Sequence, residues 1–319
     1  MKAVVCERYG HADVLQLRDV EKPVPPDERA LVKIQASSVN PADFHSMHGG
    51  IARLMGNGFT KPKSSKFGSD FAGVVESVGS KVTRLKPGDE VFGIMPGAFA
   101  EYGCCREDRV GLKPSNVSFE EAAAVPIAGI TALQGLRDAG QIHAGQRVLV
   151  NGASGGVGTF ALQIARSYGT EVTAVCSSAK VDQARSIGAE HVVDYTEEDF
   201  TKNGVEYDLI FDVAFTRWPS AYRHSLAPGG RCVLVGTPDL RRLPVALALS
   251  PLASRGGKKV GFMGIAKVTG PDMALLAGLL EAGKVKPVVE RVYSLGEATE
   301  AVGYVEKGHA KGKVVVAID

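Results

Sequence analysis

From Arg147 to Thr237 the sequence alternates between short apolar runs and helix-patterned segments, and this rhythm restricts the fold more than any other feature of the chain. "RVLVNGA" (147–153) reads as a fully buried strand and "VGTFALQIARSYG" (157–169) as an amphipathic helix. Strand "EVTAVCS" (171–177), helix "KVDQARSIG" (180–188) and strand "HVVDY" (191–195) follow. Then come strand "DLIFDVA" (208–214), helix "SAYRHSLAPGG" (220–230) and strand "RCVLVGT" (231–237). Strands that are apolar on both faces need cover on both, and interleaved helices supply it. The pattern predicts an α/β fold with a parallel, doubly wound sheet.

The first third of the chain reads differently. "ALVKIQASSVN" (30–40) and "DFAGVVESVG" (70–79) are β-branched, strand-like runs, and "LKPGDEVFGI" (85–94) sets a Pro-Gly-Asp turn before another strand. Glycine- and proline-bearing connections between them predict an irregular β-rich barrel. The character changes near residue 118, where Ser118 and Glu121 have the capping-box spacing that opens a helix. After "KKVGFMGI" (258–265), the segment "PDMALLAGLLEAGKVKP" (271–287) reads as a helix ending at glycine. The last stretch, 288–319, reads as strand, helix, strand, and is expected to return to the first domain. At 319 residues the chain has room for about two cores.

The octet "NGASGGVG" (151–158) follows a predicted strand and opens a predicted helix. Ala153, Gly155 and Gly158 fill the three slots of G-x-G-x-x-G, with Ser154, Gly156 and Val157 between them. In that setting the middle glycine lets backbone approach a pyrophosphate, and the last lets helix and strand pack closely. The pyrophosphate then meets backbone N–H groups at the helix N-terminus. Sites for NAD place an acid about 20 residues on, but here Ser177, Ser178 and Lys180 close the second strand. Hydroxyls and an ammonium suit a 2′-phosphate that a carboxylate would repel, so NADPH is the expected cofactor. The alternative leaves Lys180 an ordinary polar residue of a first helical turn.

Composition removes several other functions. Hydrophobic residues make up 45% and charged residues 23%, and the net charge of +2 gives no loaded basic face for nucleic acid. No apolar run approaches the roughly 18 residues that span a bilayer. "MKAVVCERYG" at the start reads as a strand rather than a signal peptide. The five cysteines form no CxxC pair, and the adjacent Cys104 and Cys105 are expected on opposite faces of a strand. Odd, unpaired cysteines suit a reducing compartment, and the expected location is cytoplasmic.

In order along the chain, "SVNPADFH" (38–45), "GSDFAGVVESVGSKVTRLKPGDEVFG" (68–93), "AAAVPIAGITALQGL" (122–136) and "NGASGGVG" resemble the medium-chain dehydrogenase/reductase superfamily, and within it the zinc-free quinone oxidoreductase-like branch. The resemblance implies a GroES-like catalytic domain from residues 1–117 and 268–319 around a Rossmann domain from 118–267, with the active site in the cleft between them. It also implies a homodimer through the Rossmann edge strand at 258–265. Asn40 stands where zinc-dependent relatives carry a cysteine, and Ser69 where they carry a histidine. Zinc needs a near-tetrahedral set of N and S ligands, so no metal is expected. Without one, reduction of an enal, enone or quinone is the chemistry implied, hydride adding to a carbon made electrophilic by conjugation.

By the same resemblance Asn40 and Asp43 are the candidate catalytic residues, the Asn40 amide donating to the substrate carbonyl. The plainer reading of Asn40-Pro41 is a turn starter. Thr131 matches a residue that bonds the nicotinamide carboxamide, though a helical threonine also bonds back to its own backbone. Tyr195 is implied beside the adenosine phosphate with Lys180, Gly236 and Thr237 beside the cofactor, and Lys313 near it from the returning segment. His48 stands where many relatives carry an arginine, which leaves a proton-relay role open. The segment 45–68 is expected to shape substrate choice. Two rival functions remain at this level: an alcohol or ketone oxidoreductase, and an NADPH-binding sensor or scaffold without turnover.

Overall fold

In the computed structural model, residues 1–50, 58–215, 217–236, 243–308 and 310–319 are described. Thr237, one of the expected cofactor contacts, lies outside them, as does the middle of the 45–68 segment. In chain order the strands are β1 (Lys2–Cys6), β2 (Leu15–Asp19), β3 (Arg29–Ser38), β4 (Asp70–Val78), β5 (Glu90–Ile94), β6 (Tyr102–Arg106) and β7 (Val110–Leu112). Then follow β8 (Arg147–Asn151), β9 (Glu171–Cys176), β10 (His191–Asp194), β11 (Tyr207–Asp212), β12 (Leu226–Leu234), β13 (Lys259–Phe262), β14 (Val289–Ser294) and β15 (Lys313–Ala317). Two compact units result: Met1–Ala128 with Val268–Gly283 and Pro287–Asp319, and Gly129–Lys267 with Lys284–Lys286.

The first unit is built on a sheet of order β14-β15-β3-β4-β5-β7, with β6 also pairing β3, beside a β1-β2 hairpin. Strand β3 is buried along most of its length on both faces, so its side chains lose the in-out alternation of an exposed sheet. Phe44, Met47, Phe67, Phe71, Met95 and Phe99 fill the core beneath it. The returning β15 pairs antiparallel with β3 (Val315 opposite Ser38), which ties the two chain ends into one body.

In the second unit six parallel strands run in the order β10-β9-β8-β11-β12-β13 among the described residues. The chain leaves β8 toward β9 and β10, then returns to place β11 on the other side of β8. Strand order reverses there, and in open α/β sheets ligands bind outside the carboxyl ends of the strands at such a point. The helix Gly156–Ser167 starts at this position and is buried from Gly158 to Ala165, more than the amphipathic pattern predicts. One reason is Gln163, whose side chain accepts the Lys286 N–H (2.8 Å) and donates to the Lys286 carbonyl (3.0 Å), sealing the outer face with backbone.

The expected helix at 220–230 is only Pro219–Tyr222 with a 3-10 turn at Arg223–Ser225. Leu226 already begins β12. Pro228 supplies no N–H and Gly229 sits at φ +79°, so the helix cannot continue, and the buried Leu226 and Ala227 carry the chain into the sheet instead. The capping box at 118 forms: Ser118 N–H donates to Glu121 (3.0 Å) and Glu121 N–H to Ser118 Oγ (3.2 Å). Pro126 then breaks that run into Phe119–Ala123 and Pro126–Gln134. No helix among the described residues is long and apolar enough to cross a membrane.

Candidate functional site

Asn40 opens the helix Pro41–His48, and its N–H donates to Asp43 Oδ2 (2.9 Å). This pins Asp43 in the first turn, where Ser69 Oγ donates to its other oxygen (2.8 Å). Asp43 and Ser69 line a cavity of about 670 Å³ within the first unit, together with Ser46, Met47, Phe67 and Met95. Burial, the Asp70 charge assisting, outweighs the Ser69 and Asn40 hydrogen bonds and pushes the Asp43 carboxyl up to about 6.

Behind that wall lies a second polar layer. Asp70, fully buried at the start of β4, accepts from Ser38 Oγ (2.8 Å), Asn40 Nδ2 (2.8 Å) and the Ile127 N–H (3.1 Å). Lys313, 3% exposed, reaches in from β15 and donates to Asn40 Oδ1 (2.7 Å) and the Val39 carbonyl (3.1 Å), with its Nζ 3.6 Å from Asp70 Oδ2. Burial pushes Asp70 up and Lys313 down from their ordinary values, and their mutual attraction opposes both shifts.

This arrangement sets the surroundings of Asn40 and Lys313. Asn40 is 2% exposed, and its amide nitrogen is spent on Asp70 and, at 3.4 Å, on Ser38 O. It is absent from the cavity lining, and it links Lys313 to Asp70. The ammonium of Lys313 is enclosed by first-unit acceptors. The site side chains that reach the cavity are Asp43 and Ser69.

Raised in the folded protein, the Asp43 carboxyl binds a proton that the unfolded chain has released between its ordinary 3.8 and about 6. Stability therefore falls as pH rises through that window, by about 3 kcal/mol in all. Asp43→Asn can still accept from Asn40 N–H and donate to Ser69, so urea midpoints of the variant at pH 4.5 and 7.5 should lie much closer together than those of the parent. Equal pH slopes in the two proteins would contradict the raised value.

In the second unit the octet forms a tight turn at the end of β8, with Gly152 at φ +79°. A Cβ on Gly158 would run into the Gly152 carbonyl oxygen and lie 2.8 Å from the Ala153 backbone. A Cβ on Gly155 would meet only Gly152 O, at 3.6 Å, and otherwise point into open space. Ala153 and Ser154 are buried, Gly156 and Val157 half-buried, and Gly156 begins the helix. The residues thus leave a backbone cradle beside a helix N-terminus that fits a dinucleotide pyrophosphate. Neighbouring β11 ends in Asp212, which accepts from Asn151 Nδ2 (2.9 Å) and from the Ala214 and Phe215 N–H groups (2.9 and 2.7 Å), fixing the two strand ends together.

Ser177, Ser178 and Lys180 follow β9, with Lys180 N–H donating to Ser177 O (2.9 Å). Tyr195 is 58% exposed at the end of β10. Sequence reasoning missed Asp194, which β10 sets opposite Cys176. Hydrogen bonds from Ser178 and Thr196 hold its carboxyl below the ordinary range. The signal for it was available only from the register of β10 on β9. Thr131 lies half-buried on the helix Pro126–Gln134, and Gly236 half-buried beyond β12.

Residues 26–135 match the family model of the alcohol dehydrogenase GroES-like domain, and residues 187–316 match that of zinc-binding dehydrogenases. The chain is 34% identical to the 2-methylene-furan-3-one reductase of Solanum lycopersicum over 99% of its own length and 79% of the relative's. It is equally 34% identical to the chloroplastic NADPH-dependent alkenal/one oxidoreductase of Arabidopsis thaliana, over 99% and 79%. Among solved structures, the quinone oxidoreductase of Coxiella burnetii superposes with a TM-score of 0.88 at 29% identity, covering 100% of this chain and 99% of the other. With the GroES-like fold, the doubly wound sheet and the glycine cradle already in place, these likenesses show that the chain belongs to the medium-chain dehydrogenase/reductase superfamily of oxidoreductases, in its quinone oxidoreductase-like branch.

Proposed function

We propose that this protein reduces conjugated carbonyls (enals and enones) or quinones with NADPH, without a catalytic metal. The observation that carries the metal-free part is the Asn40–Asp70–Lys313 network. At the positions where zinc-dependent relatives place their ligands, this chain has an amide and a hydroxyl, and it buries an ammonium beside Asp70. Among the described residues, no group of three His, Cys, Asp or Glu ligand atoms converges at this place. Those residues do not fit zinc.

NADPH, when bound, supplies the hydride. The octet holds its pyrophosphate, Lys180 meets the 2′-phosphate, and Thr131, Tyr195 and Gly236 border the remainder. Asp194 stays ionised at this place, its carboxyl held low by Ser178 and Thr196, so Lys180 has to outweigh its repulsion of the phosphate. At the substrate, Ser69 Oγ is the donor that can turn from Asp43 to a developing oxyanion, a role proposed first for Asn40. Once Ser69 has turned away, Asp43, held near 6, can carry a proton at Oδ1, give it to the anion left by hydride addition and regain one from water. Names of relatives support the substrate class: one is a furanone reductase and another an alkenal/one oxidoreductase. Five free thiols agree with a reducing compartment such as the cytoplasm. Strand β13 forms one edge of its sheet, with the exposed Ile265 shortly beyond, and is the face we assign to a homodimer.

Absorbance loss of NADPH and NADH in parallel tests this reading, against an enal, an enone, an ortho- and a para-quinone, and a simple ketone, with and without a chelator. Chelator-insensitive turnover of a conjugated acceptor with NADPH is expected. Lys180→Ala should lower the preference for NADPH over NADH about 10- to 100-fold, the worth of one charge-assisted hydrogen bond to phosphate. Chelator-sensitive turnover of simple ketones or alcohols would instead make it an alcohol dehydrogenase. Binding of NADPH with no turnover of any acceptor would make it a sensor.

A further inference from the structure

Away from Asp43, three side chains from distant parts of the sequence converge on one point. His11 lies in the connection after β1, His48 ends the helix Pro41–His48, and Glu306 ends the helix Ala298–Glu306. His11 Nδ1 is 2.7 Å from Glu306 Oε1, and His48 Nε2 bonds the same oxygen. The two imidazole centroids are 4.6 Å apart, and all three potential ligand atoms fall within 4.8 Å of one another.

Backbone fixes the parts. Gly10 N–H donates to the Met47 carbonyl (3.1 Å), which joins the His11 connection to the last turn of the His48 helix. Gly49 follows in the left-handed region at φ +81°, ending that helix directly after His48. Both imidazoles bond one oxygen of Glu306, and His11 is exposed to water.

We propose that His11, His48 and Glu306 form a binding site for a divalent transition metal of the zinc type, separate from the candidate catalytic site. Two imidazole nitrogens and a carboxylate oxygen are the donor set of open zinc sites, which leave a fourth position to water. Zinc bonds of about 2.0–2.2 Å in a tetrahedron place ligand atoms roughly 3.3–3.5 Å apart. His11 and Glu306 must open by about 0.6–0.8 Å from their present contact to reach that spacing, and His48 and Glu306 by somewhat more; the exposure of His11 leaves it free to move. The metal would clamp the N-terminal connection and the first helix to the returning C-terminal helix. This site goes beyond the sequence expectation of no metal, which did not bring His11 and Glu306 to His48.

Metal-stripped full-length protein titrated with zinc against a chromophoric chelator, and with cobalt by visible absorption, tests the assignment. The expected result is one zinc per chain at micromolar affinity, a cobalt spectrum of four-coordinate intensity, and a raised melting temperature with zinc. His11→Ala and Glu306→Gln should each weaken zinc binding at least 30-fold. His45→Ala, one turn away on the same helix, should leave it unchanged, as should Cys104→Ser with Cys105→Ser. Circular dichroism confirms that the variants remain folded. Absence of stoichiometric binding at about 100-micromolar zinc, roughly a hundredfold above the expected micromolar Kd, would overturn the proposal. So would an affinity that falls with the cysteine variant and not with His11→Ala.

Discussion

Lys313→Met is expected to destabilise the first unit by about 3–5 kcal/mol, because it strands a buried carboxylate. Asp70 is fully buried, and the Lys313 ammonium, 3.6 Å from its Oδ2, is the positive charge paired with it. Ser38, Asn40 and Ile127 would still donate to it, but neutral donors cannot repay the desolvation of an ion. Adding Asp70→Asn in the same chain should restore most of the loss, since it removes the orphan charge. Chemical unfolding of the two single variants and the double variant forms the measurement. Additive losses would show that the two residues act separately, against the geometry. The effect should also reach the candidate site, because Asn40 bridges this pair to Asp43 through its own N–H.

Two glycine variants separate packing from ligand binding in the cradle. Gly158→Val drives a side chain into the Gly152 carbonyl and the Ala153 backbone, neither of which can move without parting helix from strand. It should lower both stability and NADPH affinity, the latter by more than 30-fold, roughly 2 kcal/mol or more. Gly155→Ala meets no such obstacle, its new Cβ lying 3.6 Å from one carbonyl oxygen. It should therefore melt with the parent protein and still lose about tenfold or more in NADPH affinity, since the methyl fills space the pyrophosphate would occupy. Fluorescence titration with NADPH and thermal melts decide the matter. If Gly155→Ala binds NADPH as the parent does, the pyrophosphate lies elsewhere and the cradle assignment fails.

Much of the architecture is legible in the sequence, and for a local reason. Strands β8, β9 and β11 are apolar on both faces, and that pattern alone demands a covered parallel sheet. The capping box at Ser118 and the turn at Gly152 are likewise decided within a few residues. The failure at 220–230 is local too, but in the opposite sense: Ser220 to Leu226 has a helical pattern, and sheet burial of Leu226 and Ala227 overrides it.

Sequence by itself determined which chemistry-bearing groups the chain owns: a glycine cradle after a buried strand, serines and a lysine in place of an acid, and an amide and a hydroxyl in place of metal ligands. Tertiary structure alone decided what those groups face. Lys313 and Asn40 lie 273 positions apart, and only the pairing of β15 with β3 sets the ammonium on Asn40 and Asp70. His11 and Glu306 lie 295 apart and meet only because both chain ends close the same unit. Side-chain types are fixed by the sequence, whereas their partners depend on long-range pairing, and a buried charge or a shared proton is defined by its partners.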